Sequence, residues 1–162
     1  MNIGIIGTGK NANMLLYELS NEHTPVLIDP KHKFPNAEKY INGVTSFTYW
    51  TDTYELLTDI PLYTYKQKSS VTSNAVFEDG TYVGPNVVVD HQTVVGRSCW
   101  ISRGSTIGHD CKIGNNVFVG PDVTICGSVV IGDGSFIGAK SLIYDNTQLP
   151  AKTVLRGASV WK

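Results

Sequence analysis

The stretch VVVDHQTVVGRSCWISRGSTIGHDCKIGNNVFVG, residues 87–120, decides the fold because an aliphatic residue occurs in it at every sixth position. A helix has a period of 3.6 residues and a strand a period of two, so neither explains this spacing. A period of six is typical of a left-handed parallel β-helix made of hexapeptide repeats. The repeated apolar positions are Phe77, Val83, Val89, Val95, Ile101, Ile107, Ile113, Val119, Ile125, Ile131, Ile137 and Ile143.

Each hexapeptide of such a helix supplies one short strand and one corner, and three hexapeptides complete one coil. Residues 77–147 therefore predict about four coils of a β-helix domain. The alternative is a β-sandwich whose spacing is coincidental. Glycine often follows the apolar residue, and we expect these glycines at corners whose backbone angles disfavour a Cβ atom. They are residues 84, 96, 108, 114, 120, 132 and 138.

The residues before the repeat read differently, and residues 1–76 predict a small, truncated α/β domain of the Rossmann-like type. Residues 1–7 and 24–29 read as buried strands, residues 11–19 as a helix, and residues 60–65 as a third strand. After the repeat, residues 148–162 are interpreted as leaving the period of six and forming a C-terminal cap or a subunit-contact tail.

Composition excludes several classes of protein. The chain has 162 residues, Lys+Arg 13 against Asp+Glu 14, and a net charge of −1. Binding to nucleic acid or an anionic membrane needs clustered cations, so neither partner is expected. With 41% hydrophobic and 17% charged residues, the chain is predicted to fold. Three cysteines without disulfide spacing, together with the absence of a signal peptide or an apolar run of membrane length, predict a cytoplasmic protein.

The segment Gly7-Thr8-Gly9-Lys10 stands between a predicted strand and a predicted helix. With Ala12 it fits G-x-G-x-x-G/A, in which glycines let a phosphate approach the backbone at a helix N-terminus. Asp29, at the end of the next strand, is placed to hold a ribose hydroxyl. A P-loop is disfavoured because position 11 is Asn rather than Ser or Thr. A purely structural tight turn stays open as an alternative.

Residues three hexapeptides apart stack in a β-helix, about 4.8 Å from one coil to the next. His91, His109, Gly127 and Asp145 then share one corner column. A backbone N–H near Gly127 would lie one layer above the His109 ring. That arrangement places a general base beside an oxyanion donor, as acyl transfer requires. The alternative is a pair of polar corner histidines with no function.

A second column consists of aromatic residues that each precede an inward-facing aliphatic residue and are therefore expected to point outward. An exposed aromatic ladder on one face favours an oligomer interface, with coverage by the N-terminal domain as the alternative. Its members are Tyr82, Trp100, Phe118 and Phe136.

The cysteines predict no chemistry of their own. Cys99 and Cys111 fall at small inward positions of the repeat, so they are expected in the core. Cys126 replaces the usual glycine beside Gly127 and is expected to border the same pocket. No metal site is expected, because a zinc site needs three converging ligands and the two corner histidines form only a vertical pair.

Four segments together resemble a known family of enzymes. They are Ile107-Gly-His109-Asp110-Cys111-Lys-Ile113-Gly114, Gly120-Pro121, Cys126-Gly127 and Val129-Val-Ile131-Gly132. They are similar to the sialic-acid O-acetyltransferase and nucleotide-amino-sugar N-acetyltransferase family of hexapeptide-repeat acyltransferases, of the bacillosamine and perosamine type. The resemblance covers nearly the whole chain. It implies a Rossmann-like domain before a β-helix, and a homotrimer that binds acetyl-CoA between neighbouring solenoids.

The resemblance also implies roles for individual residues. His109 matches the family's general base and Asp110 its acidic neighbour. Gly127 matches the glycine whose N–H contacts the acetyl carbonyl. The Gly7–Lys10 turn falls where the family meets nucleotide-sugar phosphates, and Asp29 lies near its nucleoside pocket.

The expected function is therefore acetyl-CoA-dependent N-acetylation of a nucleotide-linked amino sugar, as in polysaccharide biosynthesis, without a metal. The amine would attack the thioester directly while His109 removes its proton. Lys140, Lys152 and Arg156 are candidates for the CoA phosphates. The alternatives are a sugar or serine-type O-acetyltransferase and a non-catalytic trimeric solenoid that binds a nucleotide.

Overall fold

A computed structural model of the chain describes residues 1–6, 13, 15, 19–20, 24–28, 39–42, 62–67 and 70–162. The chain divides into two compact units, Met1–Tyr63 and Thr64–Lys162. Among the described residues no helix is long and apolar enough to cross a bilayer.

The first unit contains a three-stranded parallel sheet in the order β2-β1-β3. Its strands are β1 (Asn2–Ile6), β2 (Thr24–Ile28) and β3 (Lys39–Asn42). Ile3 of the central strand is in register with Pro25 on one side and Lys39 on the other. Strands β1 and β2 confirm the strands predicted at residues 1–7 and 24–29.

The third strand predicted at residues 60–65 is wrong over residues 62–65, and residues 60 and 61 lie outside the described residues. The third strand of this sheet is β3, and Tyr65 belongs instead to the second unit. The physical reason is that an apolar strand pattern does not specify which sheet the strand joins.

Helical backbone is present at Asn13, Leu15 and Leu19, within the helix predicted for residues 11–19. Leu15 and Leu19 are buried, as is Ile5 of β1. The spacing of the two leucines, four positions apart, puts them on one face of a helix.

The second unit is a parallel β-solenoid with three sheets, built from strands of two residues each. Sheet 1 contains six strands: β4 (Tyr65–Lys66), β7 (Tyr82–Val83), β10 (Trp100–Ile101), β13 (Phe118–Val119), β16 (Phe136–Ile137) and β19 (Val154–Leu155). Sheet 2 also contains six: β5 (Val71–Thr72), β8 (Val88–Val89), β11 (Thr106–Ile107), β14 (Thr124–Ile125), β17 (Leu142–Ile143) and β20 (Val160–Trp161). Sheet 3 contains five: β6 (Val76–Phe77), β9 (Val94–Val95), β12 (Lys112–Ile113), β15 (Val130–Ile131) and β18 (Gln148–Leu149).

Neighbouring coils are in register at three hexapeptides, as predicted: Thr106 pairs with Val88 below it and with Thr124 above it. From β7 to β19 the second residue of each strand points inward, and these aliphatic side chains form one continuous buried core with Cys99 and Cys111. Phe77 and Trp161 pack against this core, whereas Lys66 of β4 is exposed. The burial of one apolar side chain per strand stabilises each coil by the hydrophobic effect.

The solenoid is longer than the predicted range 77–147. At its start, Tyr65 pairs with Tyr82 and Val71 with Val88, an offset one residue shorter than in the coils above. The missing residue lies between β5 and β6, and this interruption hid the first coil from a search for period six. At its end, Leu149, Leu155 and Trp161 continue the period, so residues 148–162 are a further coil and not a separate tail.

The expected reason for the glycines is also wrong. The left-handed backbone angles fall at a different corner position, once per repeat from Asn74 to Ala158, and non-glycine residues occupy twelve of them. Glycines such as Gly84 and Gly120 are required for another reason. A Cβ on Gly120 would be 2.7 Å from the Ala139 nitrogen, so the close stacking of the next coil excludes a side chain there.

Candidate active site

The corner between sheet 2 and sheet 3, which we call the His corner, carries His109 and Asp110. It follows β11, whose inward Ile107 anchors the turn in the core. Asp110 has a left-handed backbone with φ of 57°, a conformation that Asp tolerates better than most residues. Its Oδ2 lies 2.7 Å from His109 Nδ1. A carboxylate that accepts the Nδ1 proton leaves Nε2 as the free acceptor of a neutral imidazole.

Gly127 lies one coil above His109, as the predicted register requires. The Ser128 N–H donates to the His109 carbonyl at 2.8 Å, which ties the two corners together. A Cβ on Gly127 would be 2.7 Å from His109 Nε2, so the ring occupies the space that a side chain would need. Among residues 70–162, which the structure describes without a gap, no acceptor takes the Gly127 N–H. A basic nitrogen and a free amide donor thus share one corner.

A second His–Asp pair lies one coil below the first. His91 Nδ1 is 3.2 Å from Asp90 Oδ1, and the His91 and His109 rings stack at 5.5 Å between centroids. The His91 backbone N–H, followed by its imidazole, holds the pKa of Asp90 below its usual range. The sequence interpretation singled out His91 but missed Asp90; reading the residue beside each column histidine would have found it.

One group in the described part of the chain has the composition of a metal site. Ligand atoms of His91, His109 and Asp110 all lie within 4.8 Å of one another, and all three residues are exposed. The Asp110 carboxylate already binds His109 Nδ1, so this oxygen is engaged with the imidazole.

The cysteines lie where the repeat predicts. Burial raises the pKa of Cys99 to about 12 and also raises the pKa of Cys111. A thiol with a raised pKa is a poor nucleophile near neutral pH. Cys126 is partly exposed and directly precedes Gly127 in the His corner.

The aromatic ladder is not an exposed surface, and this expectation is wrong. Within the single chain Tyr82 is 2% exposed, Trp100 3% and Phe118 8%; Phe136 is half-buried. The rings also stack on one another: Tyr82 on Trp100 at 4.0 Å between centroids, and Phe118 on Phe136 at 4.5 Å. The Trp100 Nε1–H donates to Ser102 Oγ at 3.1 Å.

The structure does not bring the three candidate cations to the His corner. Lys140 and Arg156 lie at the corner between sheets 1 and 2, and Lys152 at the corner between sheets 3 and 1; all three are exposed. Lys112, which the sequence interpretation did not select, is exposed on sheet 3 two positions after Asp110.

The candidate nucleotide-binding residues Gly7, Thr8, Gly9, Lys10 and Asp29 lie outside the described residues.

Residues 92–127 and 110–145 match the family model described as bacterial transferase hexapeptide (six repeats). This match falls on the coils that carry His109, Asp110 and Gly127. The coils that carry the site therefore consist of transferase hexapeptide repeats, and this match supports an acyltransferase.

Several solved structures have a fold similar to that of this chain. A histidine-to-asparagine mutant of perosamine N-acetyltransferase from Caulobacter crescentus, in complex with CoA and GDP-perosamine, has a TM-score of 0.85 at 17% identity and covers 99% of this chain and 88% of its own. The acetyltransferase domain of PglB from Neisseria gonorrhoeae has a TM-score of 0.84 at 17% identity, over 98% of this chain and 90% of that domain. WeeI from Acinetobacter baumannii has a TM-score of 0.67 at 14% identity, over 98% of both chains. At these identities the likeness establishes the fold. No curated protein matches the chain by sequence.

Proposed function

We propose that this protein transfers an acetyl group from acetyl-CoA to the amine of a nucleotide-linked amino sugar. The observation that carries the proposal is the His109 imidazole, held at Nδ1 by Asp110, with its Nε2 facing the residue that presents a free N–H. The complexes with CoA and GDP-perosamine among the structural neighbours support this choice of donor and acceptor.

The proposed reaction gives each of these groups a defined role. The amine nitrogen attacks the carbonyl carbon of the thioester, and His109 Nε2 accepts the amine proton. The Gly127 N–H donates to the carbonyl oxygen as negative charge develops on it. The carbon–sulfur bond then breaks, and CoA leaves as the thiol after taking that proton from His109 Nε2. This scheme requires no metal.

The nucleotide is proposed to bind the first unit. The adjacent parallel strands β1 and β2 end at Ile6 and Ile28, at the same edge of the sheet. The segments that begin with Gly7 and Asp29 continue from that edge, and the carboxyl ends of parallel strands are where such sheets bind ligands. Gly7, Thr8, Gly9 and Lys10 are assigned to the phosphates and Asp29 to the ribose.

The proposed phosphate partners of CoA are the exposed cations Lys140, Lys152 and Arg156, with Lys112 as the candidate nearest in the fold to His109. Reversing one charge at a time to Glu should raise KM for acetyl-CoA only at the residues that contact a phosphate. Cys126 is proposed to border the acetyl group beside Gly127.

A homotrimer in the cytoplasm is proposed, with a different contact surface from the aromatic ladder. The outward residues of sheets 2 and 3 flank the His corner and are mostly apolar or uncharged. The exposed hydrophobic side chains among them are Val71, Val76, Val88, Val94 and Val160. A trimer of this 17.7 kDa chain has three times the mass of one chain, and light scattering should report it. A mass near that of one chain would contradict the proposal.

The function is tested by measuring thiol release from acetyl-CoA with GDP-, UDP- and dTDP-linked amino sugars. Matched sugars that carry a hydroxyl in place of the amine, and free serine, are the controls. Turnover with an amino sugar alone supports N-acetylation, and turnover with only a hydroxyl acceptor assigns an O-acetyltransferase. No thiol release with any acceptor leaves a non-catalytic solenoid.

The proposed nucleotide site is tested separately: Gly9→Val should weaken nucleotide-sugar binding more than acetyl-CoA binding in calorimetry.

A further inference from the structure

At another corner of the solenoid, the backbone N–H equivalent to that of Gly127 is hydrogen-bonded to a side chain of the next coil. At the corner between sheets 3 and 1, the N–H of Arg97 donates to Asn115 Oδ1 at 2.9 Å. One coil higher, the N–H of Asn115 donates to Asp133 Oδ1 at 2.8 Å. Each residue stands two positions after an inward aliphatic, as Gly127 stands two positions after Ile125. At this corner an Asn or Asp side chain from the coil above therefore caps the N–H below it.

Each capped N–H follows a glycine, Gly96 or Gly114. A Cβ on Gly96 would be 2.6 Å from the Asn115 Oδ1 that caps Arg97. A Cβ on Gly114 would likewise overlap the Asp133 Oδ1 that caps Asn115. The capping oxygen thus occupies the space where a side chain would begin.

The His corner has the capping residue but lacks the glycine. Asp145 lies one full coil after Gly127 and so occupies the position that Asn115 and Asp133 hold at the other corner. The coils stack normally around it, since the Cys126 N–H donates to the Ile143 carbonyl at 2.9 Å and the Asn146 N–H to the Gly127 carbonyl at 3.1 Å. Yet the Asp145 carboxylate accepts the Asn146 side-chain amide at 2.8 Å instead.

We infer that Cys126 is a positioning residue whose Cβ keeps the Asp145 carboxylate from capping the Gly127 N–H. A carboxylate hydrogen bond to a backbone amide is charge-assisted and strong. If Asp145 made it, the amide would be lost as a donor, and a negative charge would stand where the oxyanion develops. The inference rests on the proposed function, in which the Gly127 N–H binds that oxyanion.

The test compares Cys126→Gly with Cys126→Ala, two variants that both lack the thiol and differ only by the Cβ. Solvent exchange of the Gly127 amide, measured by NMR in the full chain, reports the cap without any substrate. We expect exchange to slow at least about tenfold in Cys126→Gly relative to Cys126→Ala. Adding Asp145→Ala to the glycine variant removes the capping group and should restore fast exchange.

Acetyl transfer by the same variants gives the second readout. Removal of one oxyanion donor costs about 10²–10³ in kcat, so an occluded donor should make Cys126→Gly roughly 10–10² slower than Cys126→Ala. Asp145→Ala should reverse that difference. A loss that Asp145→Ala does not reverse would indicate a general packing defect and overturn the inference.

Amide exchange and acetyl transfer together distinguish a failure of this inference from a failure of the proposed function. Slow exchange that Asp145→Ala reverses, in a protein that does not consume acetyl-CoA, would support the steric role while the proposed function fails. Equal exchange and equal turnover of the glycine and alanine variants, in an active enzyme, would overturn the role of Cys126 alone.

Discussion

The His109 imidazole lies against the Cα atom of Gly127, so closely that a methyl group on that carbon would be 2.7 Å from Nε2 and 2.8 Å from Cε1. One residue supplies the nitrogen and the other, one coil higher, supplies the amide. Their relation does not depend on a flexible loop, because both corners follow strands whose inward side chains are buried in the same core.

Replacing His109 by Ala should lower kcat by about 10²–10⁴, the usual effect of a positioned general base. The side chain is about half exposed, so the fold should persist, and circular dichroism can verify this. Thiol release measures the rate. His91→Ala, the same change one coil below, is the matched control and should cost less. A larger loss in His91→Ala than in His109→Ala would assign the base to His91.

Gly127→Ala should displace the imidazole and lower kcat at least about tenfold, because real Cβ atoms do not approach a ring as closely as this one would. The same substitution in the His109→Ala background should cost little further, since the clashing ring is already gone. Residues that act through one contact are not additive. Additive losses in this double-mutant cycle would contradict the proposed contact.

Only one of the three thiols should react quickly with a disulfide reagent in the native protein. Cys99 is buried with a pKa raised to about 12, and burial also raises the pKa of Cys111, so neither forms thiolate readily. Cys126 is partly exposed. Cys126→Ser should abolish the fast reaction, and denaturation should expose all three thiols of the unmodified chain. Fast labelling that survives in Cys126→Ser would disprove this assignment.

Gly120→Ala should destabilise the solenoid by about 1–3 kcal/mol, the usual cost of forcing an extra group into a packed interior. Its Cβ would be 2.7 Å from the Ala139 nitrogen in the next coil. Ala158→Gly is the opposite case, because Ala158 has φ of 57° and glycine adopts that conformation without strain. It should stabilise by about 1 kcal/mol, the usual cost of a left-handed conformation for a residue with a Cβ. Denaturant unfolding measures both, and stabilisation by Gly120→Ala would refute the stacking explanation.

The pKa of Asp90 is lowered in the folded chain, so its contribution to stability has a defined direction with pH. A carboxyl with a lower pKa in the folded state stabilises above the pKa of the unfolded state, about 3.9. That contribution is lost as pH falls through the folded pKa. The stability difference between the wild type and Asp90→Asn should therefore shrink on acidification from neutral to strongly acidic pH. A stability difference that grows on acidification would contradict a lowered pKa of Asp90 in the folded chain.

The repeat could be predicted from sequence because a solenoid is nearly one-dimensional. Each coil adds three hexapeptides, so the neighbours of His109 follow by counting, and the placement of Gly127 above it needed no knowledge of the rest of the chain. The burial of Cys99 and Cys111 follows from the same arithmetic. The left-handed sense of the winding and the nucleotide site remain predictions.

The ends of the solenoid could not be read in this way. The first coil is one residue short between β5 and β6, so counting by six fails there although strand pairing continues. In the last coil the residues after Leu149 and Leu155 are Pro150 and Arg156 rather than glycine. The glycine pattern therefore does not mark these repeats, although Leu149 pairs with Ile131 and Leu155 with Ile137 in the coil below.

Sequence alone determined the repeat, its register and the stacking of Gly127 above His109, because these follow from local spacing along one axis. Tertiary structure decided which sheet Tyr65 joins, that the aromatic ladder is buried within a single chain, and that Asp145 bonds Asn146 rather than the amide below it. Those outcomes depend on what fills the space beside each residue in three dimensions. A periodic pattern does not encode that space.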